Sequence, residues 1–247
     1  MGEQPHYEKA PITEAIIDLR VSFAEPIEMT RLEAAFSQEQ EQYPGRKRLQ
    51  QGMGQFEFGP RISSSATTED LGFAFTSVDE KQVAQFRRNG FTFSRLTPYE
   101  SWGPFSGEAR RLWDVYRKGL SPNAITRLAV RYINRIQLPP SIDDISHWLK
   151  TYPEVAEGVS KLVAGFFMHV TVPLPELKGA LALIETVDER RLDKGDGVAI
   201  ILDLDLFRTA DVPQDEESIW AYFEELHVRK NQVFEACLTD KTRELFQ

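Results

Sequence analysis

Residues Ile125–Leu138 read ITRLAVRYINRIQL, and the two sides of this stretch decide the fold class. Leu128, Val130, Tyr132, Asn134 and Ile136 alternate with Arg127, Ala129, Arg131, Ile133 and Arg135. A period of two predicts a strand with one buried face and one polar face. The opening of the chain has the same design with acidic groups. Ala15, Ile17, Leu19, Val21 and Phe23 alternate with Glu14, Ile16, Asp18, Arg20 and Ser22. Aligning the two strands sets Glu14 level with Arg127 and Asp18 level with Arg131. If the strands meet antiparallel, Glu14 approaches Arg131 and Asp18 approaches Arg127. The bland function of such pairs is to set register between two halves of the molecule.

The segments after these two strands are alike. Beyond the first, Thr30 and Glu33 have capping-box spacing and open a helix that stops at Tyr43-Pro44-Gly45. Strands are then expected over Leu49–Phe58, Gly72–Val78, Gln82–Arg88 and Phe91–Leu96, with Asn89-Gly90 as a type I′ turn between the last two. A helix from about Pro104 to Lys118 carries Ala109, Leu112, Trp113 and Tyr116 on one side, with Gly119 past its end. Beyond the second strand, Pro139-Pro140-Ser141 begins a short helix containing Ile145, Trp148 and Leu149. Strands at Val163–Val172, Ala180–Val187 and Val198–Phe207 precede a long helix from about Glu216 with Ile219, Phe223, Leu226, Val233, Phe234 and Cys237 in its stripe.

The order is β-α-β-β-β-β-α, then β-α-β-β-β-α. It predicts an α+β fold of two pseudo-repeated units, residues 1–120 and 121–247, each an antiparallel sheet packed on a long helix and the two intimately joined. This element order resembles the TATA-binding-protein or helix-grip architecture, a likeness that carries no function. Tyr7, Ala10-Pro11-Ile12, Glu14-Ala15, Arg127-Leu128, Arg131 to Ile136, Leu226-His227, Thr239-Asp240 and Phe246 resemble the pattern of a family of sporadically distributed, uncharacterised prokaryotic proteins. That resemblance implies a prokaryotic, cytoplasmic origin and no activity.

The composition excludes more than it assigns. The chain has 247 residues, 41% of them hydrophobic, and a net charge of −9. Splitting it at Leu120 gives 15 basic and 17 acidic residues before the cut and 14 and 21 after it. Neither half has the basic excess of a duplex-binding surface, and the short clusters Arg46-Lys47-Arg48, Arg87-Arg88 and Arg110-Arg111 read as solvated faces. No apolar run approaches the ~20 residues of a membrane span. Cys237 is the one cysteine, so no intrachain disulfide forms, and a reducing, cytoplasmic setting is expected.

No cofactor or metal is implied. Gly52-Met53-Gly54 lacks a third glycine and a following helix, and no phosphate-binding loop is present. His6, His147, His169, His227 and Cys237 have no zinc-ligand spacing. Asp188, Asp193 and Asp196 fit a hairpin turn better than a cation loop. Ser63-Ser64-Ser65, read as a loop, has no nucleophile elbow.

Three functional readings survive. Tyr99, Trp102 and Phe105, beside Gly103 and Pro104, suit the recognition loop of a non-enzymatic binding or regulatory module for a protein or small ligand. Against this stands burial of Trp102 and Phe105 beneath the following helix. Asp203 and Asp205 share one strand face beside Arg131 and Arg135, an arrangement open to acid–base catalysis of a hydrolase kind or to a neutralised sheet surface. The third is a nucleic-acid clamp, which the acidic charge opposes. The sequence permits a homo-oligomer and names no partner.

Overall fold

A computed structural model describes residues 7–57, 63–139, 144–156, 158–159, 165–188 and 198–247, with side chains for all of these except 53–57 and 63–67. The elements are β1 (Ile12–Ser22), α1 (Met29–Ala35), β2 (Gly45–Glu57), β3 (Ser63–Thr76), β4 (Gln82–Arg87), β5 (Gly90–Leu96), α2 (Trp102–Leu120), β6 (Ala124–Gln137), β7 (Phe167–Leu174), β8 (Gly179–Val187), β9 (Ala199–Arg208), α3 (Glu216–Cys237) and α4 (Asp240–Arg243). The nine strands form one antiparallel sheet in the order β2-β3-β4-β5-β1-β6-β9-β8-β7, so the fold is α+β.

The two strands of alternating apolar and charged residues lie side by side at the centre. β1 pairs with β6 over Ile12–Ser22, setting Asp18 across from Ala129 and Glu14 across from Ile133. Alternation then sorts the side chains. Ala15, Ile17 and Leu19 of β1, Leu128, Val130 and Tyr132 of β6, and Leu202, Leu204 and Leu206 of β9 are all buried together. Against this face pack Phe105, Ala109, Leu112, Trp113 and Tyr116 of α2 and Ile219, Phe223, Leu226 and Phe234 of α3. Each helix supplies its stripe at three- and four-residue spacing, and burial of those side chains holds it to the sheet. Glu216 joins the two helices, accepting from Arg110 at 2.7 Å and from Arg117 at 3.1 Å.

Local departures from expectation have physical causes. α1 begins at Met29 with Glu28 as its N-cap, and no side chain caps it, so the Thr30–Glu33 capping box is not formed. Glu28 already has the extended backbone of a cap, which puts Thr30 inside the first turn. The hairpin between β4 and β5 turns on Arg88 and Asn89, since Arg87 pairs with Gly90, and Asn89 has no positive φ as a type I′ turn requires. Gly90 is needed for another reason. Its φ is +157°, and a Cβ there would lie 2.3 Å from the Leu19 carbonyl oxygen on β1.

Ser63, Ser64 and Ser65 belong to β3, not to a loop, because they pair with Gln55, Phe56 and Glu57. α2 starts at Trp102, two residues before Pro104, which falls in the first turn where a missing N–H costs nothing. The short helix expected from Pro139 is reduced, among the described residues, to a 3-10 turn at Ile145–His147; Pro140 and Ser141 lie outside them. His6, Val163, Asp193 and Asp196 lie outside them too. No described helix is long and apolar enough to cross a membrane.

Candidate functional site

The helix-covered face of the sheet opens at one end into a cavity of ≈ 970 Å³. Its walls are the strand approach Tyr7–Ile12, the β5–α2 connection from Thr97 to Trp102, Asn134 of β6, and the α3 face bearing His227, Lys230, Phe234 and Glu235. Backbone bonds hold these walls in place. Lys9 N–H donates to the Phe246 carbonyl at 3.0 Å, Thr97 N–H to Thr13 at 3.0 Å, and Arg135 N–H to Pro11 at 2.8 Å. The side chain of Trp102 ties the start of α2 to α3. Its indole Nε1 donates to Glu224 at 2.6 Å, and its ring stacks on His227 with centroids 4.3 Å apart.

The charges around this cavity are unequally met. Glu235 accepts from the Tyr7 hydroxyl at 2.9 Å and from Arg243 Nε at 2.7 Å. Glu100 pairs with Arg95 at 3.1 Å, and the Lys9 ammonium donates to the Gln247 carbonyl at 2.8 Å. Lys230 differs. It is 6% exposed, makes no hydrogen bond or ion pair with a described residue, and lies with Nζ 3.8 Å from the centroid of the Tyr132 ring. Burial pushes its ammonium down to about 7, while Glu235 pulls the other way. The ring face of Tyr132 also favours the cation.

The neighbouring groups stay neutral. Burial, helped by Lys230, pushes His227 down to about 3. Asn231 Nδ2 lies 3.4 Å from His227 Nε2, which as acceptor leaves the proton on Nδ1, and Nδ1 is buried without a partner. Tyr99 and Tyr132 share a 2.8 Å hydroxyl contact, and burial raises Tyr99 to about 12 and Tyr132 well above its ordinary range. Asn134 gives its Nδ2 to the Leu202 carbonyl at 3.0 Å. Among the described residues the arrangement is a partly apolar cavity with one buried lysine, neutral aromatics and no nucleophile paired with a base.

Of the aromatic residues singled out by sequence, Tyr99 and Trp102 are half-buried and line the cavity. Phe105 is buried behind them, stacked on Phe93 at 5.6 Å and edge-on to Tyr99 and Trp102. Asp203, Asp205, Arg131 and Arg135 lie on the other side of the sheet and do not line the cavity. There Arg131 grips Asp203 through both Nε, at 2.8 Å, and Nη2. Arg127 spans Asp18 at 2.9 Å and Asp205 at 2.7 Å, and Arg135 donates to Asp188 at 2.8 Å. Arg131 has turned to Asp203, and no ion pair joins it to Glu14, so the expected Glu14–Arg131 pair is replaced.

Asp18 is the centre of this ladder. Besides Arg127 it accepts from Arg20 at 3.0 Å, Arg87 at 2.6 Å and the Thr92 hydroxyl at 2.8 Å. Burial pushes its carboxyl up, but Arg87, Arg20, Thr92 and Arg127 together outweigh burial and hold it below its ordinary value. For Asp205 burial wins over Arg127 and Arg131, its carboxyl is raised, and Oδ1 has no partner. The basic clusters are engaged as well: Arg46 with Glu33, Arg48 with Asp70, Arg110 with Glu216, and Arg111 with Glu39 and Glu108.

Lys230 belongs to no motif, and Asn134 enters the sequence reading only within the family pattern Arg131 to Ile136. A signal for Lys230 is nonetheless present, because it occupies the position between Leu226 and Phe234 at four-residue spacing on an apolar stripe. Cys237 is buried, and burial raises its thiol to about 11, which leaves it inert at neutral pH. Among the described residues no group of three His, Cys, Asp or Glu could hold a metal ion. No family model and no curated protein matches this chain.

Proposed function

We propose that the protein is a non-enzymatic binding module that takes a small molecule in the cavity between the Tyr7–Ile12 segment, the Thr97–Trp102 connection and α3. The observation that carries this reading is a cavity of ≈ 970 Å³, the size of a small-ligand site, with a buried lysine in its wall that pairs with no described residue. Tyr99 and Trp102 supply apolar area on elements fixed by hydrogen bonds, which lowers the ordering cost of binding. Six residues on which the family resemblance rests, Tyr7, Ala10, Pro11, Ile12, Asn134 and His227, also line this cavity, and membership of that prokaryotic family is part of the proposal.

An acid–base enzyme built on Asp203 and Asp205 has one supporting feature, the raised carboxyl of Asp205 with its unpartnered oxygen. The Arg131 fork on Asp203 and the Arg127 bond to Asp205 favour a neutralised surface instead. The same proposal includes descent of the two halves, 1–120 and 121–247, from one repeated unit of TATA-binding-protein or helix-grip type. The central β1–β6 pairing and the long helix closing each half support it. Native mass spectrometry of the freshly purified protein tests the binding reading. A small molecule retained by the wild type and lost from Trp102→Ala supports it; an empty wild type, with no thermal shift across a metabolite library, overturns it.

A further inference from the structure

Lys230 sits where a neutral residue would be cheaper. It lies on the core stripe of α3, four residues after Leu226 and four before Phe234, and both of those neighbours are buried. A buried cation costs several kcal/mol unless it is paired. The groups facing Lys230 do not pair with it. From β6 comes the Tyr132 ring face, and from its own helix come neutral His227 and Glu235, which is engaged by Tyr7 and Arg243. Asn134 gives its Nδ2 to the Leu202 carbonyl, and its acceptor Oδ1 makes no hydrogen bond with Lys230. Across the cavity stand Tyr99, held by Tyr132, and the apolar surfaces of Pro11, Ile12, Pro98 and Trp102.

From this placement, and resting on the binding reading above, we infer that the ligand is a small carboxylic acid with an apolar body, its carboxylate paired with Lys230 Nζ. Of the two lysines at the cavity, Lys9 is exposed and gives its ammonium to the Gln247 carbonyl, so the buried Lys230 calls for one negative charge. Glu8, Glu100 and Glu235 at the cavity disfavour a second. The apolar body covers the Trp102 and Pro98 surfaces, and the carboxylate supplies the counter-charge the fold leaves out. Charge-assisted hydrogen bonds of this kind are the stronger ones, and the burial of Lys230 keeps salt screening small.

Calorimetric titration with naphthalene-2-carboxylate and with its uncharged analogue 2-naphthamide reads this out. The wild type is expected to bind the carboxylate at least ~10-fold tighter than the amide, a difference of about 1.4 kcal/mol. Lys230→Met keeps the length of the chain and removes the charge; it is expected to erase that preference while leaving the amide's affinity in place. Equal affinity of the wild type for both probes overturns the carboxylate assignment yet leaves the cavity a binding site. A preference that survives Lys230→Met overturns the role of Lys230. Failure of both probes to bind at millimolar concentration removes the cavity reading along with it. The pair of probes on the wild type needs no variant, so it decides the matter even if the substitution disturbs folding.

Discussion

Asp18 and Lys230 are charges of similar burial on opposite sides of one sheet, 7% and 6% exposed, and the fold treats them in opposite ways. Asp18 accepts from Arg20, Arg87, Thr92 and Arg127, which fills the acceptor sites of its two oxygens. Lys230 has an aromatic ring and, among the described residues, no acceptor. On the outer face every strand neighbour of the central pair contributes to the ladder, so the cost of burying Asp18 is offset within the protein. On the helix face the same cost is left standing beside a cavity. A saturated buried charge is a structural joint, whereas an unsaturated one facing a cavity is a place for something else to bind.

The contrast is most exposed to test at Asp18. Asp18→Asn preserves shape and removes the charge that Arg20, Arg87 and Arg127 share; Arg127 keeps Asp205, while the part-buried Arg87 loses its ion pair. The expected loss is about 4 kcal/mol in urea denaturation at pH 7, as for other broken buried pairs. A loss below about 1 kcal/mol would show that the ladder is ornament on a solvated surface. The pH dependence comes from the lowered carboxyl. Its contribution is present above the ordinary value of 3.8 and is lost as pH falls through the still lower folded value.

Glu185 adds a third way to bury a charge, which is to keep it neutral. It is 0% exposed on the helix side of β8, neither carboxylate oxygen has a partner, and burial pushes it up to about 8. The folded value lies above the ordinary 4.5, so the protonated carboxyl's stability is full below about pH 4.5 and is lost as pH rises toward 8. Between about pH 5.5 and about pH 9 the wild type is expected to lose about 3 kcal/mol more than Glu185→Gln, since each tenfold change in proton affinity is worth about 1.4 kcal/mol. Parallel stability curves for the two proteins in urea would mean that Glu185 finds a donor or reaches water.

These three residues also show what was legible in the sequence. Period-two alternation put Asp18 and the arginines of β6 on the polar face and Tyr132 and Asn134 on the other, because a strand's side chains have nowhere else to go. The same periodicity marks Glu185 as the polar intruder among Leu181, Leu183 and Val187, and helical spacing marks Lys230 in the same way. Neither stands out as a motif, because motifs are more often exposed groups in loops than exceptions within a core. The cavity itself is beyond any local pattern. It joins Tyr7, Tyr99, Asn134 and Lys230, which only the packing of α3 across the chain's opening segment brings together. The capping box at Thr30 misled because spacing alone does not say where the backbone turns helical.

The smallest expected effects concern the seam between β1 and β6. Asp18 and Glu14 stand in the same diagonal relation to Arg127 and Arg131, since Asp18 faces Ala129 and Glu14 faces Ile133. Register therefore offers both pairs equally, and long side chains can span that diagonal. Only the first is made, because Asp203 competes for Arg131 with a two-pronged grip from a carboxylate 8% exposed, while Glu14 remains partly in water. Exchanging charges would not isolate these pairs, as Arg127→Asp would also face Asp205. Neutral double-mutant cycles do. Asp18→Asn with Arg127→Gln is expected to show about 1 kcal/mol of coupling, and Glu14→Gln with Arg131→Gln less than about 0.3 kcal/mol. Glu14 adds to Arg131 only a longer-range attraction, the weakest of those that raise its guanidinium. Equal couplings in the two cycles would mean that register alone governs the seam and that Asp203 does not divert Arg131.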